Sequence, residues 1–166
     1  MIQIEKKQNC CGCTACYNIC PQKAITMLPD EEGFLYPKIN LQQCINCGLC
    51  EKMCPILHKV DHIENTEGYI LRHKDANIVK ESTSGGAFTA FAVHFFEQGG
   101  VVFGTGYDDN MRVICKLASE SVDLKEMRGS KFVQSDLGTV FQNVKEKLNT
   151  GTLVLFTGTP CQIAGL

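Results

Sequence analysis

The sequence lacks the features that would indicate export, membrane insertion or a highly charged partner. Its formal net charge is only -2 over 166 residues, which gives no electrostatic reason to expect nucleic acid or an anionic membrane as a partner. No apolar run approaches the roughly 20 residues that span a bilayer, and the first ten residues contain no apolar segment of a signal peptide. These absences predict a cytoplasmic protein with no membrane span and no nucleic-acid partner.

Cysteine, in contrast, is abundant, and its placement favours metal binding over disulfides. Nine of the eleven cysteines lie in the first 54 residues, whereas disulfide-dense chains are normally secreted. Two copies of C-x2-C-x2-C-x3-C, each followed by proline, begin at Cys10 and at Cys44, which are 34 positions apart. A run that repeats in this way indicates two metal centres of the same kind.

The repeated run resembles that of bacterial ferredoxins with two 4Fe-4S clusters, over roughly residues 1 to 58. In those proteins three cysteines of a run hold one cluster, and the fourth crosses over to the other cluster. Two structural zinc sites are the alternative, but such sites usually pair two C-x2-C motifs. The resemblance implies a first cluster held by Cys10, Cys13, Cys16 and Cys54, and a second held by Cys44, Cys47, Cys50 and Cys20.

One position of the first run is a doubled cysteine. If Cys11 were the ligand, only one residue would separate it from Cys13, whereas two residues separate Cys44 from Cys47. The symmetry between the two runs would then be broken. We therefore interpret Cys10 as the ligand and Cys11 as an additional thiol near the cluster. A redox role for Cys11 is the alternative.

The rest of the chain predicts a short hairpin and then a second domain. The stretch "AITMLPDEEGFLYPKIN" between the runs has two apolar segments around a turn signal. Composition changes near residues 59 to 67, which predicts domains at 1–58 and 67–166. Beyond that point "GYILRH" is typical of a short strand, and "VVFGTGY" with "RVICKLA" predicts a hairpin that buries Cys115.

Helical periodicity appears in two further segments of the second half. One apolar helical face is predicted for Phe88, Phe91, Ala92 and Phe95, and the helix is expected to end at Gly99. A second helix is predicted from the spacing of Leu137, Val140, Phe141, Val144 and Leu148. "TLVLFT" predicts a buried strand, and "GTPCQIAGL" predicts the start of a helix with Pro160 at its first position. The fold class expected is α+β or α/β, with the second domain incomplete and the chain a fragment of a longer protein.

Three stretches of the second half contain residues suited to binding an anion or to thiol chemistry, and each also has a plainer structural interpretation. "STSGG" precedes a predicted helix whose free N–H groups would attract an anion, unless Ser84 is only an N-cap. "RGSKFVQS" sets Arg128 and Lys131 beside hydroxyls that suit a phosphate, unless these are ordinary surface charges. Cys161 in "TGTPCQ" falls in the first turn of a helix, which favours the thiolate, unless it is a structural apolar residue.

Taken in order, "STSGGAFTA", "GGVVFGTGYD", "RGSKFVQSDLG" and "VLFTGTPCQIAGL" make the chain resemble the family of coenzyme F-420 hydrogenase/dehydrogenase beta subunits along essentially its whole length. The resemblance implies an iron-sulfur flavoprotein in which the second, mixed α/β domain is of a flavin-binding type and holds FAD. It implies that the flavin contacts fall among Ser84, Gly85, Gly86, Lys131, Gln134, Thr157, Gly158, Thr159, Pro160 and Cys161.

The function expected from this resemblance is oxidoreduction. Low-potential electrons from a ferredoxin or a partner oxidoreductase subunit would pass through two 4Fe-4S clusters to FAD, and then to a small-molecule two-electron acceptor such as a deazaflavin. A flavin suits this position because it links one-electron and two-electron chemistry. The alternative is a ferredoxin-like electron-transfer subunit without chemistry of its own, whose α/β half only docks a partner protein. A nucleophilic-cysteine enzyme built on Cys161 is a more distant alternative, since no histidine can be assigned to it.

Overall fold

A computed structural model describes residues 1–4, 6–58 and 66–166. Its contacts divide the chain into two compact units. The first unit is Met1–His62, Leu137–Gln142 and Gly158–Leu166, and the second is Ile63–Asp136 and Asn143–Thr157. Two short segments of the second half therefore pack with the first unit. The predicted boundary at residues 59 to 67 lies largely outside the described residues, and the limits 1–58 and 67–166 remain a prediction.

The first unit is built around a two-stranded sheet flanked by short helices. Helix α1 (Ala15–Ile19) precedes the antiparallel strands β1 (Ile25–Pro29) and β2 (Leu35–Ile39), and α2 (Leu49–Lys52) follows them. The register pairs Ile25 with Ile39 and Pro29 with Leu35, which confirms the hairpin predicted between the cysteine runs. In the turn, Asp30 Oδ1 accepts hydrogen bonds from the backbone N–H groups of Glu32 and Phe34.

Cysteines form part of the core of this unit. The buried cluster consists of Ile2, Cys16, Ile25, Cys50 and Cys54, with Tyr17, Ile19 and Ile39 packed against it. Cysteines at both helices are therefore held in an apolar setting. The unit also contains α7 (Pro160–Gly165), where an added Cβ on Gly165 would lie 3.0 Å from Cβ of Ala15. Helix α7 thus packs closely against α1.

The second unit has a mixed three-stranded sheet in the order β4-β3-β5. Strand β3 (Val101–Tyr107) pairs antiparallel with β4 (Val113–Ala118) and parallel with β5 (Val154–Phe156). This arrangement confirms the predicted hairpin and the strand predicted for "TLVLFT", but the prediction that this strand is buried was wrong, since the residues of β5 are half-buried. Cys115 on β4 is buried, as expected. Residues Val102 and Phe103 are fully buried at the centre of the sheet, where neighbouring strands cover both of their edges.

Helices pack around this sheet, and one predicted helical face requires correction. Helices α3 (Ala76–Lys80), α4 (Ala87–Glu97) and α5 (Leu124–Met127) precede α6 (Val140–Asn149) in the chain. On α4 the residues packed into the core are Phe88, Ala92 and Phe96, whereas Phe91 is 54% exposed. The i, i+4, i+8 stripe therefore faces the sheet, and the predicted face with Phe91 was wrong, because several apolar stripes are available on so apolar a helix.

The strand predicted for "GYILRH" is also wrong. Residues 68–73 have no strand conformation, and Tyr69 and Ile70 are strongly exposed. The segment is held by a backbone hydrogen bond from His73 to the carbonyl oxygen of Gly85, with an N···O distance of 2.6 Å. Apolar composition suggested a strand here, but a strand needs backbone hydrogen bonds to a neighbouring chain along its length.

The predicted C-terminal elements are confirmed. Val140, Phe141 and Val144 are buried on α6 and Leu137 is buried just before it, although Leu148 is exposed. Helix α7 begins with Thr159 as N-cap and Pro160 in its first turn, and Gln162 Oε1 accepts a hydrogen bond from the Thr159 N–H at 2.9 Å. Among the described residues, no helix combines the length and apolar character needed to cross a membrane.

Candidate metal centres and anion cleft

Cysteines from both runs line one cavity of the first unit, which we call the first-run cavity. It measures about 320 Å³, and apolar side chains including Ile2, Ile4 and Ile56 complete its wall. Three of its cysteines are buried to 9% exposure or less, and Cys10 is half-buried. The cysteines of the first-run cavity are Cys10, Cys11, Cys13, Cys16 and Cys54.

The remaining cysteines of the two runs line a separate cavity of the first unit, the second-run cavity. It measures about 380 Å³, and Ile25, Ile45 and Leu49 contribute to its wall. The backbone N–H of Ala24 donates a hydrogen bond to Cys20 Sγ at 3.3 Å, the kind of contact that tunes the potential of an iron-sulfur cluster. The cysteines of the second-run cavity are Cys20, Cys44, Cys47 and Cys50.

With the additional Cys11 set aside, each cavity takes three cysteines from one run and a fourth from the other. This is the grouping expected from the ferredoxin resemblance, and the donor set fits a 4Fe-4S cluster, whose ligands are cysteine thiolates. Within the described residues, no three cysteine, histidine or carboxylate side chains converge as ligands of a single metal ion do. The assignment of each cysteine as a ligand of one cluster or the other remains a prediction.

The two runs share an unusual backbone conformation as well as the same cysteine spacing. Gly12 and Thr14 in the first run have φ of 63° and 64°, and their counterparts Asn46 and Gly48 have φ of 53° and 76°. Thr14 and Gly48 are also the N-caps of α1 and α2. Left-handed residues are rare outside glycine, so their repetition indicates that both loops turn in the same way. This shared turn brings cysteines of each run to one cavity wall.

Burial keeps several of these thiols protonated in the protein itself. Burial raises the pKa of Cys13 and of Cys16 to about 12, and it also raises the pKa of Cys10 and Cys11. Because iron binds the thiolate, the protons must leave as a cluster is inserted. The apolar wall that excludes water from the cavity therefore also disfavours the thiolate form of these cysteines until a metal binds.

An open cleft of about 560 Å³ lies in the second unit and joins two of the sequence-predicted stretches. One wall is "STSGGAF" and the other is the segment from Met127 to Ser130. Ser84 and Gly86 were predicted as cofactor contacts, and both line the cleft. Sequence reasoning missed the contributions of Ser82, Thr83 and Ser130, although a hydroxyl-rich segment before a helix was a visible signal for them.

The cleft opens at the N-terminus of α4. The N-cap of this helix is Gly86, with φ of 81° and no side-chain capping hydrogen bond, so the alternative that Ser84 is merely the N-cap is wrong. The first N–H groups of a helix have no intrahelical acceptor and carry partial positive charge. Such a helix end, bordered by serine and threonine hydroxyls, suits an anionic group such as phosphate.

Arg128 supplies the positive charge at this cleft, and Lys131 does not line it. The Arg128 side chain is 15% exposed, pairs with Glu81, and donates from Nε to Thr89 Oγ1 at 3.1 Å. Lys131 Nζ instead donates to the carbonyl oxygens of Glu126 and Arg128, each at 2.9 Å. Burial lowers the pKa of Lys131. Lys131 thereby closes the loop that carries Arg128.

The remaining predicted cofactor residues are distributed over both units. Gln134 is half-buried in the second unit, where the Thr157 hydroxyl donates to the Phe103 carbonyl oxygen at 3.1 Å. Gly158, Thr159, Pro160 and Cys161 belong to the first unit. There, the Thr159 hydroxyl oxygen lies 3.1 Å from Cys161 Sγ. The role of all these residues as flavin contacts remains a prediction.

Gly85 has no room for a side chain, which gives a testable consequence. An added Cβ would lie 2.2 Å from the backbone oxygen of Leu71, and backbone atoms cannot rotate away. We expect Gly85→Ala to destabilise the protein by about 1–3 kcal/mol, measured as a lower urea midpoint. The control is Gly68→Ala, because no atom lies within 4 Å of the Cβ there. An unchanged midpoint for Gly85→Ala would show that the Leu71 segment moves aside without cost.

Two family matches cover most of the described chain. Residues 9–56 match the family described as "4Fe-4S dicluster domain". Residues 69–142 match the family described as "Coenzyme F420 hydrogenase/dehydrogenase, beta subunit N-term". The first match contains all eight predicted cluster ligands, and the second contains both walls of the cleft.

Curated relatives include both ferredoxin-like proteins and one component of a dehydrogenase. A polyferredoxin-like protein of Methanocaldococcus jannaschii is 37% identical over 62 residues, 32% of this chain and 37% of that protein. Pyruvate synthase subunit PorD of Thermotoga maritima is 36% identical over 55 residues, 33% of this chain and 52% of that protein. A subunit of the F(420)H(2) dehydrogenase of Methanosarcina mazei is 23% identical over 164 residues, 92% of this chain and 46% of that protein.

This chain spans about half the length, or less, of each of these three relatives. The long, low-identity match to the dehydrogenase subunit runs through both halves of the chain, in agreement with the two family matches. The two family matches and the long match to the dehydrogenase subunit confirm the resemblance of this chain to the family of coenzyme F-420 hydrogenase/dehydrogenase beta subunits, with a 4Fe-4S dicluster domain matched ahead of that segment.

Proposed function

We propose that the chain is part of an iron-sulfur flavoprotein oxidoreductase. Low-potential electrons from a ferredoxin or a partner subunit pass through two 4Fe-4S clusters to FAD, and from there to a two-electron acceptor such as a deazaflavin. The observation that carries the proposal is the sorting of eight cysteines into two cavities, each with three from one run and one from the other. FAD, when bound, supplies the conversion between one-electron and two-electron transfer.

The two cavities differ in ways that suit entry and exit of electrons. In the second-run cavity Cys47 is exposed and Ile45 on the rim is 61% exposed, so a partner protein can approach this side closely. The cysteines of the first-run cavity are more deeply buried, and α7 packs beside it through Gly165, whose added Cβ would lie 3.4 Å from Cys13 Sγ. We therefore assign electron entry to the second-run side and exit to the side of α7.

The cleft of the second unit supports a phosphate-bearing cofactor. Its hydroxyls at Thr83 and Ser130 can donate hydrogen bonds, Arg128 adds positive charge, and the uncapped α4 N-terminus adds free N–H groups. A pyrophosphate such as that of FAD needs this combination of donors and charge. We propose that the pyrophosphate binds here, with Ser84 and Gly86 closest to it among the sequence-predicted contacts.

The test is cofactor content of the protein purified anaerobically, in the longest form that its reading frame provides. We expect about eight iron atoms per chain and stoichiometric FAD whose absorption bleaches on reduction. Cluster-loaded protein that neither contains nor binds flavin would overturn the oxidoreductase proposal. That result would leave a ferredoxin-like electron-transfer subunit, and its partner protein would then be the object of the search.

A further inference from the structure

Arg128 bonds to both ends of the segment that forms the opposite wall of the cleft. That wall lies between Ser82 and Phe88. The residues that flank it, Glu81 before and Thr89 after, are the two whose side chains accept hydrogen bonds from the Arg128 guanidinium. A single arginine therefore fastens its own loop to the residues immediately before and immediately after the serine-rich wall.

The contact with Thr89 is made inside the protein. Thr89 is 2% exposed, and its Oγ1 accepts a hydrogen bond from Arg128 Nε at 3.1 Å. Thr89 lies on α4, three residues after the N-cap Gly86, so it belongs to the helix end that borders the cleft. A buried hydroxyl is costly unless it is hydrogen-bonded, which makes this contact a fixed part of the fold.

The rest of the arginine is fixed as well. Its backbone N–H donates to the Leu124 carbonyl oxygen at 3.1 Å, and its Nη1 donates to the carboxylate of Glu81. Two of the three guanidinium nitrogens are thereby engaged. The third, Nη2, has no hydrogen-bond partner in the described part of the chain. Since Arg128 lines the cleft, Nη2 is the nitrogen that remains for a ligand there.

We propose that Thr89 is a positioning residue for anion binding in the cleft, where its hydroxyl holds Nε so that Arg128 presents Nη2 to a phosphate group. The inference rests on the proposed function and adds to it a residue outside the cleft wall. Fixing an arginine side chain costs rotamer entropy. Here the fold has fixed it before a ligand arrives, and such preorganisation increases affinity.

Thr89 suits this role better than Glu81 does. The Glu81 side chain is 55% exposed and negatively charged, so an incoming phosphate repels it and competes with it for the guanidinium. Thr89 is uncharged and buried, so its bond to Nε persists when an anion binds. Thr89 therefore acts on the ligand through Arg128, without touching the ligand itself.

The experiment titrates deflavinated, cluster-loaded protein with FAD, with riboflavin and with inorganic pyrophosphate in a calorimeter. We expect Thr89→Val, which keeps the shape of the side chain but lacks the hydroxyl, to weaken binding of FAD and pyrophosphate about three- to fivefold. Binding of riboflavin, which has no phosphate, should not change. Thr89→Ser retains the hydroxyl and should bind all three ligands as the wild type does.

Folding of the variants is checked by melting curves. Thr89→Ala is made alongside Thr89→Val, because its smaller side chain cannot clash with the arginine, and it should weaken FAD binding to the same extent. In an Arg128→Gln background, Thr89→Val should cause no further loss, since the hydroxyl acts only through the arginine. A further loss in that background, or an equal loss of riboflavin affinity, would overturn the positioning role.

The remaining outcomes distinguish this inference from the oxidoreductase proposal. Unchanged affinities for FAD and pyrophosphate in folded Thr89→Val would overturn the role of Thr89 and leave the flavoprotein proposal standing. Pyrophosphate binding that depends on both Arg128 and Thr89, in a protein that takes up no flavin, would support the role of Thr89 and remove only the flavin. A wild-type protein that binds neither FAD nor pyrophosphate would overturn both.

Discussion

A chain with serine at both Cys13 and Cys54 is expected to retain about four iron atoms, the content of one 4Fe-4S cluster. The two residues belong to different runs but line the same cavity with Cys10 and Cys16. If they hold the same cluster, replacing the second of them removes nothing further. The measurement is iron per chain after anaerobic reconstitution, with the electron paramagnetic resonance spectrum of the reduced protein as a second readout.

The matched comparison is Cys13→Ser combined with Cys20→Ser. These residues come from the same run, but Cys20 lines the second-run cavity with Cys44, Cys47 and Cys50. We expect this double variant to lose both clusters and to bind almost no iron. The reverse pattern, with both clusters lost in Cys13→Ser/Cys54→Ser and one kept in Cys13→Ser/Cys20→Ser, would mean that each run holds its own cluster. The exchange of Cys20 and Cys54 between the two clusters would then be wrong.

Replacement of Arg128 by glutamine is expected to weaken FAD binding by about tenfold or more. A hydrogen bond to a charged group contributes about 1.5–3 kcal/mol, and Arg128 is the arginine that borders the cleft beside Ser130 and the α4 N-terminus. Because the interaction is proposed to be with phosphate, binding of riboflavin, which has none, should change little. The measurement is fluorescence titration of deflavinated protein with each ligand.

Arg112→Gln is the control for charge, since that side chain is 70% exposed and pairs with Asp108 in the β3–β4 turn. It should leave FAD affinity unchanged. A melting curve must accompany Arg128→Gln, because Thr89 is 2% exposed and loses a hydrogen-bond partner. If a folded Arg128→Gln variant binds FAD as tightly as the wild type does, the cleft is not the pyrophosphate site.

Most elements could be predicted from the sequence because their signals are local. The hairpin between the runs, the β3–β4 hairpin, α6 and the start of α7 each depend on periodicity or on a turn or cap within a few residues. The failures were of a different kind. Residues 68–73 have strand-like composition but form no strand, and α4 offers several apolar stripes, of which packing selects the one with Ala92.

The candidate sites likewise have some features that the local sequence predicted and others that it did not. The spacing of the cysteines identified the metal chemistry, since two residues between thiols suit a loop around one cluster. Nothing in the local sequence indicated that Lys131 would be occupied by two carbonyl oxygens while Arg128 borders the cleft. Arg128 is held by Glu81 and Thr89, which are distant in the chain, whereas Lys131 bonds to carbonyl oxygens only three and five residues away.

The sequence by itself determined the residue types, the two matched cysteine loops and the order of the two family segments, because each of these is a property of short stretches. Only the tertiary structure decided which sulfurs share a cavity wall, which helix face is buried, and that α7 packs beside the first run. The physical reason is that proximity between remote residues follows from the path of the whole chain, which is set by the collective burial of apolar side chains.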